Sequence, residues 1–444
     1  MTYLLFVAIG ACAVVLVSGA PADDKQVHAQ FQSTDLSDAL LRSLLDDFLT
    51  NLDSWNVTTS DSAIIKQRKH LKGTRALIEA QGYPAEDHVV VTEDGYILSM
   101  FRIPRPDCPP VFLMHGLLAS SADYVVLGKH RALASVLYEA GFDVWLGNAR
   151  GTTESRRHKT LVPGDAKFWD FSWHEIGSQD LPALIDHVLN ATNQTSLHYV
   201  GHSQGTTTFF VMGSERQEYM AKVKTFVALA PIAFVNDIRS IPVRLMAVAP
   251  NALGDLIRLM GANEFLPNSK LVSWLGDTFC ADGDITQPLC YDIMFLIGGT
   301  DSQQMNATAI PDILANTPAG AATKQLIHYG QLIAKWRQEF RQYDHGWLGN
   351  LFRYQSLSPP EYNLSKISAT TYLFTSDNDL LSVKKNVEEL VRRLPSIAPD
   401  GVKKVPFRKF NHLDYIFGKN AKELVYNDIV KIIRRHDNNK IPAF

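Results

Sequence analysis

Cysteine is scarce, with four in 444 residues. That excludes a small disulfide scaffold, and a chain this long must be held instead by a buried apolar core. Long hydrophobic runs are lacking too. Leu4 to Val17 is unbroken apolar sequence, shorter than the roughly 18–20 residues of a membrane-spanning helix. No later segment reaches that length, so the mature chain is expected to carry no transmembrane segment. Charge of one sign is also absent. The net charge is −3, which argues against nucleic acid as a partner, because phosphate binding needs a concentrated basic surface. Glycine and proline are not enriched, so disorder is not expected over most of the chain. Internal repeats are absent.

The first 20 residues have the features of a secretory signal. The apolar run leads into small residues at Ser18, Gly19 and Ala20 and then into polar Asp23-Asp24-Lys25. Its start has no Lys or Arg, and the alternative is an N-terminal anchor. Export implies oxidising surroundings. Cys12 would leave with the signal. Cys280 and Cys290 enclose a short polar loop that a disulfide would suit, which leaves Cys108 as a buried free thiol or an intermolecular link. Asn-x-Ser/Thr sequons stand at Asn56, Asn190, Asn193, Asn306 and Asn363 and are expected to carry glycans. The expected location is extracellular. Lysosomal delivery begins with the same signal and is the alternative.

Residues 21–75 are polar and form an N-terminal extension or propeptide, with helical spacing of Leu and Phe over Leu36–Leu52. Beyond them, strand-like and helix-like segments alternate. His88–Ile103 is a hairpin turning at Asp94-Gly95, a type I′ pair. Short apolar strands are expected at Pro110–His115, Asp143–Leu146, Leu197–Val200, Thr225–Ala230, Thr370–Thr375 and Lys403–Phe407, with helices over Trp173–Leu189 and Ala421–Ile433. Nearly continuous apolar strands between helices indicate an α/β class, with a mostly parallel central sheet covered by helices on both faces. Residues 76–233 and 366–444 make this core. Residues 234–365, helical in pattern with no clear strand, are an inserted cap.

The chemistry centres on Gly201-His202-Ser203-Gln204-Gly205. An apolar strand enters this segment and a helix of small and apolar residues leaves it. That is a nucleophile elbow of the α/β-hydrolase fold: a turn so tight that its flanks must be glycine, holding Ser203 Oγ above the sheet at a helix N-terminus. A serine nucleophile needs a base and an orienting acid, in chain order Ser, Asp or Glu, His. Only His412 and His436 follow the last strands. His436 lies in a polar tail and is assigned to the surface, so His412 is the expected base. The acid belongs to the loop after the preceding strand, where Asp379 is preferred over Asp377 because Leu380-Leu381 could bury it. Asp414 is too close in sequence to His412. Oxyanion donors are the backbone N–H of Gln204 and, from the loop after Pro110–Gly116, that of Leu117. His115 precedes the serine and is assigned a structural role.

With these residues in place, the sequence resembles the acid lipase family, the relatives of gastric and lysosomal acid lipases that include many insect lipases. The matching stretches include GYPAEDHVVVTEDGYILSMFRIP, FLMHGLLASS, DVWLGNARG, YVGHSQGTT, NTPAG, YLFTSDNDLLS and FNHLDYIFG, in family order from about Gly82 to Phe417. The resemblance implies Ser203, Asp379 and His412 as the triad, Leu117 and Gln204 as oxyanion donors, a cap with a lid, and a Cys280–Cys290 bond. Two departures stand out. Glu154 replaces the family's usual Trp, and Gly298 or a neighbour stands where the family has a free Cys. The expected reaction is hydrolysis of neutral lipid esters, triacylglycerol or cholesteryl ester, at an oil–water or membrane interface, with no metal and no cofactor. The alternatives are an inactive lipid-binding or storage relative and a non-lipid carboxylesterase.

Overall fold

The computed structural model describes residues 71–245, 247, 250, 263–266, 297–299 and 303–437. The chain divides into two units, Met1–Val14 with His70–Phe444 and, separately, Val15–Lys69; every described residue belongs to the first. The expected signal, most of the N-terminal extension, Asn56, Cys280 and Cys290 lie outside the described residues.

Strands alternate with helices, as the apolar pattern requires. In chain order they are β1 (Glu86–Val91), β2 (Tyr96–Ile103), β3 (Pro110–Met114), β4 (Asp143–Gly147), β5 (Arg157–His158), β6 (Leu197–His202), β7 (Val223–Leu229), β8 (Glu264–Phe265), β9 (Ala321–Ala322), β10 (Thr370–Thr375) and β11 (Ile397–Lys404). One sheet has the order β1-β2-β4-β3-β6-β7-β10-β11, with β5 added to β2, and β8 and β9 form a separate ribbon. From β4 to β11 every pairing is parallel. The pairs β1/β2, β2/β4 and β2/β5 are antiparallel.

Both faces are buried, which is why the central strands are largely apolar. In β3, Phe112 and Met114 join one core and Val111 and Leu113 the other. The helices are α1 (Thr74–Ala80), α2 (Leu133–Glu139), α3 (Leu181–Thr192), α4 (Gln204–Glu215), α5 (Ile310–Asn316), α6 (Thr323–Ile333), α7 (Gly346–Tyr354), α8 (Lys384–Arg393) and α9 (Asn427–His436). Side chains of α3, α4 and α8 pack into the first core, and those of α1, α2 and α9 into the second.

Three local expectations change. At the hairpin turn only Gly95 has positive φ, 97°, so the turn is not type I′, which needs two such residues. Asp94 is held instead by hydrogen bonds, 2.6 Å from Thr92 Oγ1 and 2.5 Å from Arg150 Nη1. The last strand lies earlier than Lys403–Phe407, because pairing with β10 ends at Lys404. His436 is not a solvated surface residue. It is half-buried, with Nε2 3.0 Å from Tyr372 Oη, and burial lowers its pKa. The next residue, Asp437, is buried against His198 Nε2 at 2.8 Å and Lys224 Nζ at 2.5 Å, so the tail packs on the starts of β6 and β7.

The helix before the serine strand carries a π turn at Ile176–Asp180. A Cβ on Gly177 would lie 2.6 Å from Thr208 O of α4, so only glycine permits this contact between the two helices. Between β7 and β10 the described regular elements are mainly helical: a short helix at Ile241–Leu245, then α5, α6 and α7, with the ribbon β8/β9 the exception to the expected absence of strands.

Candidate active site

β6 ends at His202 and the chain reverses at Ser203, whose φ is 51° and ψ −118°. Such a conformation costs a residue with a Cβ about 1–3 kcal/mol and persists only where surroundings enforce it. Here they do. Ser203 N donates to Leu229 O of β7 at 3.0 Å. Thr206 Oγ1 donates to Ser203 O at 2.6 Å. A Cβ on Gly201 would lie 2.7 Å from Gly205 O, and one on Gly205 would overlap the carbonyl oxygen of Met114. The elbow is therefore pressed against the end of β3, with no room for either glycine to change.

The same contact brings up the loop after β3. A Cβ on Gly116 would lie 3.2 Å from Ser203 Cβ. His115 shapes this loop: Nδ1 donates to Gly116 O at 2.8 Å and Nε2 accepts from Ala149 N at 3.1 Å. Burial lowers His115 to about 4, so it stays neutral and can fill both roles. Leu117 lines the cavity beside Ser203. Gln204 opens α4, so its backbone N–H has no helical partner; its Nε2 donates to Gln325 Oε1 at 2.7 Å.

His412 and Asp379 meet. His412 Nδ1 lies 2.9 Å from Asp379 Oδ2 and 3.1 Å from Oδ1. Nδ1 is the donor there, which leaves Nε2 free to accept. Asp379 is fixed by backbone rather than by apolar burial alone: its Oδ1 accepts from Leu381 N at 2.8 Å and Ser382 N at 2.7 Å. The rival carboxylate, Asp377, points away to Lys404 Nζ at 2.8 Å. Asp414 caps its own turn, accepting from Asn411 N at 2.8 Å. Gly298 O accepts from His412 N at 3.2 Å and from Leu380 N at 3.3 Å, so the stretch at Gly298 is clamped across both loops.

Ser203 and His412 face one cavity of about 250 Å³. Its wall is almost wholly apolar, with Ile232, Val235, Phe265, Leu326, Leu413 and Phe417 among the lining residues. Two lining residues had no role in the sequence reading. His202, the residue before the serine inside the motif, donates from Nε2 to His412 O at 2.9 Å, and burial, reinforced by the neighbouring imidazole, lowers it to about 3. Asp123 also lines the cavity, accepts from Thr317 Oγ1 at 2.5 Å, and is raised by burial to about 7. No local pattern marks either residue, because their partners are distant in sequence.

Other expected positions lie away from the cavity. Asn190, Asn193 and Asn363 are exposed, Asn306 is half-buried, and Cys108 is a half-buried free thiol. Glu154 Oε1 accepts from Thr74 N at 3.1 Å, which caps α1 where the family's usual Trp could not. No helix among the described residues is long and apolar enough to cross a membrane.

Comparison with known proteins agrees with this architecture. Residues 74–128 match the partial alpha/beta-hydrolase lipase region and residues 109–254 the alpha/beta hydrolase fold. Lipase 1 of Drosophila melanogaster is 41% identical over 374 residues, covering 83% of this chain and 82% of its own. Gastric triacylglycerol lipase of Homo sapiens is 37% identical over 366 residues, covering 80% and 89%. Lysosomal acid lipase/cholesteryl ester hydrolase of Homo sapiens is 36% identical over 369 residues, covering 81% and 90%. A solved esterase from Thermogutta terrifontis overlays with a TM-score of 0.47 at 15% identity, covering 79% of this chain and 99% of that one. The chain belongs to the acid lipase family of α/β-hydrolases, together with the gastric and lysosomal lipases.

Proposed function

We propose that this chain is a secreted serine lipase that hydrolyses carboxylic esters of neutral lipids, triacylglycerol or cholesteryl ester, through an acyl-enzyme. One observation carries the reading: Ser203 opens into an apolar cavity that His412 also lines, and His412 is held by Asp379. With Nδ1 donating to Asp379, His412 Nε2 takes the Ser203 proton as Oγ attacks the ester carbonyl. The N–H groups of Leu117 and Gln204 receive the oxyanion, each lowering the barrier by about 3 kcal/mol. His412 then protonates the leaving alcohol, and water releases the acid. The cavity's apolar wall favours an acyl chain over a polar substituent.

In this reading residues 234–365 form the cap, Cys280 and Cys290 are bonded, and the exposed sequons carry glycans. The location is extracellular, with the lysosome as the alternative. The test is hydrolysis of emulsified triacylglycerol and cholesteryl ester by the purified chain and by Ser203→Ala. Loss of about a thousandfold or more in kcat is expected; turnover at the parent rate overturns the assignment.

A further inference from the structure

α7 is amphipathic in the wrong sense for a surface helix. Its buried residue is polar, Asn350. Asn350 Nδ2 donates to Asp344 Oδ1 at 2.8 Å and to Leu357 O at 3.2 Å, and its Oδ1 accepts from His345 N at 2.9 Å. Tyr354 Oη donates to Tyr343 O at 2.9 Å. Polar groups thus pin the helix to the body while its apolar residues face outward. Trp347, Leu348, Leu351 and Phe352 are 65, 49, 45 and 85% exposed, and Leu357 follows at 64%. The spacing of 347 to 351 and 348 to 352 puts them on one stripe, which a surface helix of a globular protein normally buries.

A further exposed aromatic lies close by. Trp336, 83% exposed, follows α6, and its neighbour Lys335 reaches Asp344 at 3.7 Å, tying that turn to the start of α7. The charges of the stripe's own segment have one sign. No Asp or Glu occurs between His345 and Pro360, Arg353 is exposed on α7, and Arg337 lies over the Trp336 ring at 4.0 Å. The nearby carboxylates are occupied: Asp344 by Asn350 and Lys335, Glu339 by Arg341 at 2.8 Å, Glu361 by Arg393 at 2.7 Å, Asp170 by Lys324 at 2.7 Å, and Glu175 by Ser172 N at 2.7 Å. A rigid helix with Trp, Phe and Leu outward and Arg at the rim matches the boundary between head groups and acyl chains of an anionic lipid layer.

The stripe is also coupled to the cavity. Leu326 and Tyr329 of α6 line the cavity. On the same helix Gln331 holds the segment before α7, donating to Asp344 O at 2.8 Å and accepting from Asp344 N at 2.9 Å. We propose that the outward stripe of α7, with Trp336, docks the protein on a lipid surface bearing anionic groups, such as the carboxylates its own reaction would release. This rests on the lipase reading above.

The test uses the full chain carrying Ser203→Ala, which leaves the vesicle composition unchanged, sedimented with phosphatidylcholine vesicles with and without oleate. Binding is expected, strengthened by oleate. Adding Trp347→Ser with Phe352→Ser should weaken it by about tenfold or more. Adding Arg337→Gln with Arg353→Gln should remove only the oleate gain. With Ser203 intact, the aromatic pair of substitutions should leave hydrolysis of a dissolved short ester unchanged and lower it on emulsion. Vesicle binding unchanged by the aromatic substitutions overturns the proposal. So does a parent chain that sediments as a dimer while the aromatic variant is a monomer, since the stripe then covers a second copy. If the intact chain hydrolyses no ester, the lipase reading fails, and the vesicle comparison still decides the docking.

Discussion

At the scale of single residues, Asp379 works through hydrogen-bond polarity. One oxygen takes two backbone N–H groups and both oxygens lie within reach of His412 Nδ1. An amide has only one accepting oxygen, so Asp379→Asn must strand a donor or flip the imidazole to the wrong tautomer. The expected result is a fall in kcat of about 10⁴ with KM little changed, measured on a dissolved ester. Asp123 gives a pH-dependent outcome. Its carboxyl is raised by burial from 3.8 to about 7, so the folded state holds a proton that the unfolded state releases within that window. Stability therefore falls as pH rises from about 4 to about 7. Asp123→Asn, which keeps an acceptor for Thr317, should be more stable than the parent by on the order of 3–4 kcal/mol near pH 7.5 and no different below pH 4, by denaturant unfolding. That Ser203 and His412 share one cavity was legible in the sequence from chain order. Asp379 was favoured over Asp377 for its apolar neighbours, whereas the structure shows backbone amides fixing one and Lys404 engaging the other. His202 and Asp123 were not legible: their partners lie 210 and 194 residues away, beyond any local pattern.

At the scale of elements, the decisive junction is where α4 meets β3. A Cβ on Gly205 would overlap Met114 O and stand 2.9 Å from His115 O. Backbone on both sides cannot yield without parting the serine turn from the loop that carries Leu117. Gly205→Ala should lower the unfolding free energy by about 3 kcal/mol or more. Gly164→Ala, where no atom lies within 4 Å of an added Cβ, should stay within about 0.5 kcal/mol in the same denaturant series. Strands buried on both faces announce themselves by composition, so β3, β4, β6, β7 and β10 were readable. β11 was misplaced because its pairing shifts register between Thr371 and Leu373, and its burial is mixed along its length. The π turn at Ile176–Asp180 leaves no sequence mark, since the apolar spacing across it stays close to helical.

At the scale of the whole molecule, histidines set the response to acid. Burial lowers His115 to about 4, His202 to about 3 and His345 to about 4, and takes His328 well below its usual value. For each, the folded pKa lies under the unfolded value of about 6.5. The stabilisation is complete above that value and is lost as pH falls through the window beneath it. Asp123 acts in the opposite direction, together with Asp180, raised by burial to about 6, and Glu264, also raised by burial, while His174, His187 and His198, each lowered by burial, add to the imidazole side. The thermal midpoint should therefore be lower at about pH 4.5 than at pH 7, and Asp123→Asn should make the acid-side loss steeper. Equal midpoints would mean that these imidazoles take up protons in place. The acid response was not readable from the sequence, because fourteen histidines look alike until their burial is known.

The backbone at Ser203, left-handed for a residue with a side chain, has a consequence for descendants of this chain. Glycine enters that conformation without steric penalty, so the fold itself would prefer a residue with no side chain and hence no hydroxyl. A copy with glycine at this bend would shed the strain along with the Cβ, and the hydroxyl would go with it.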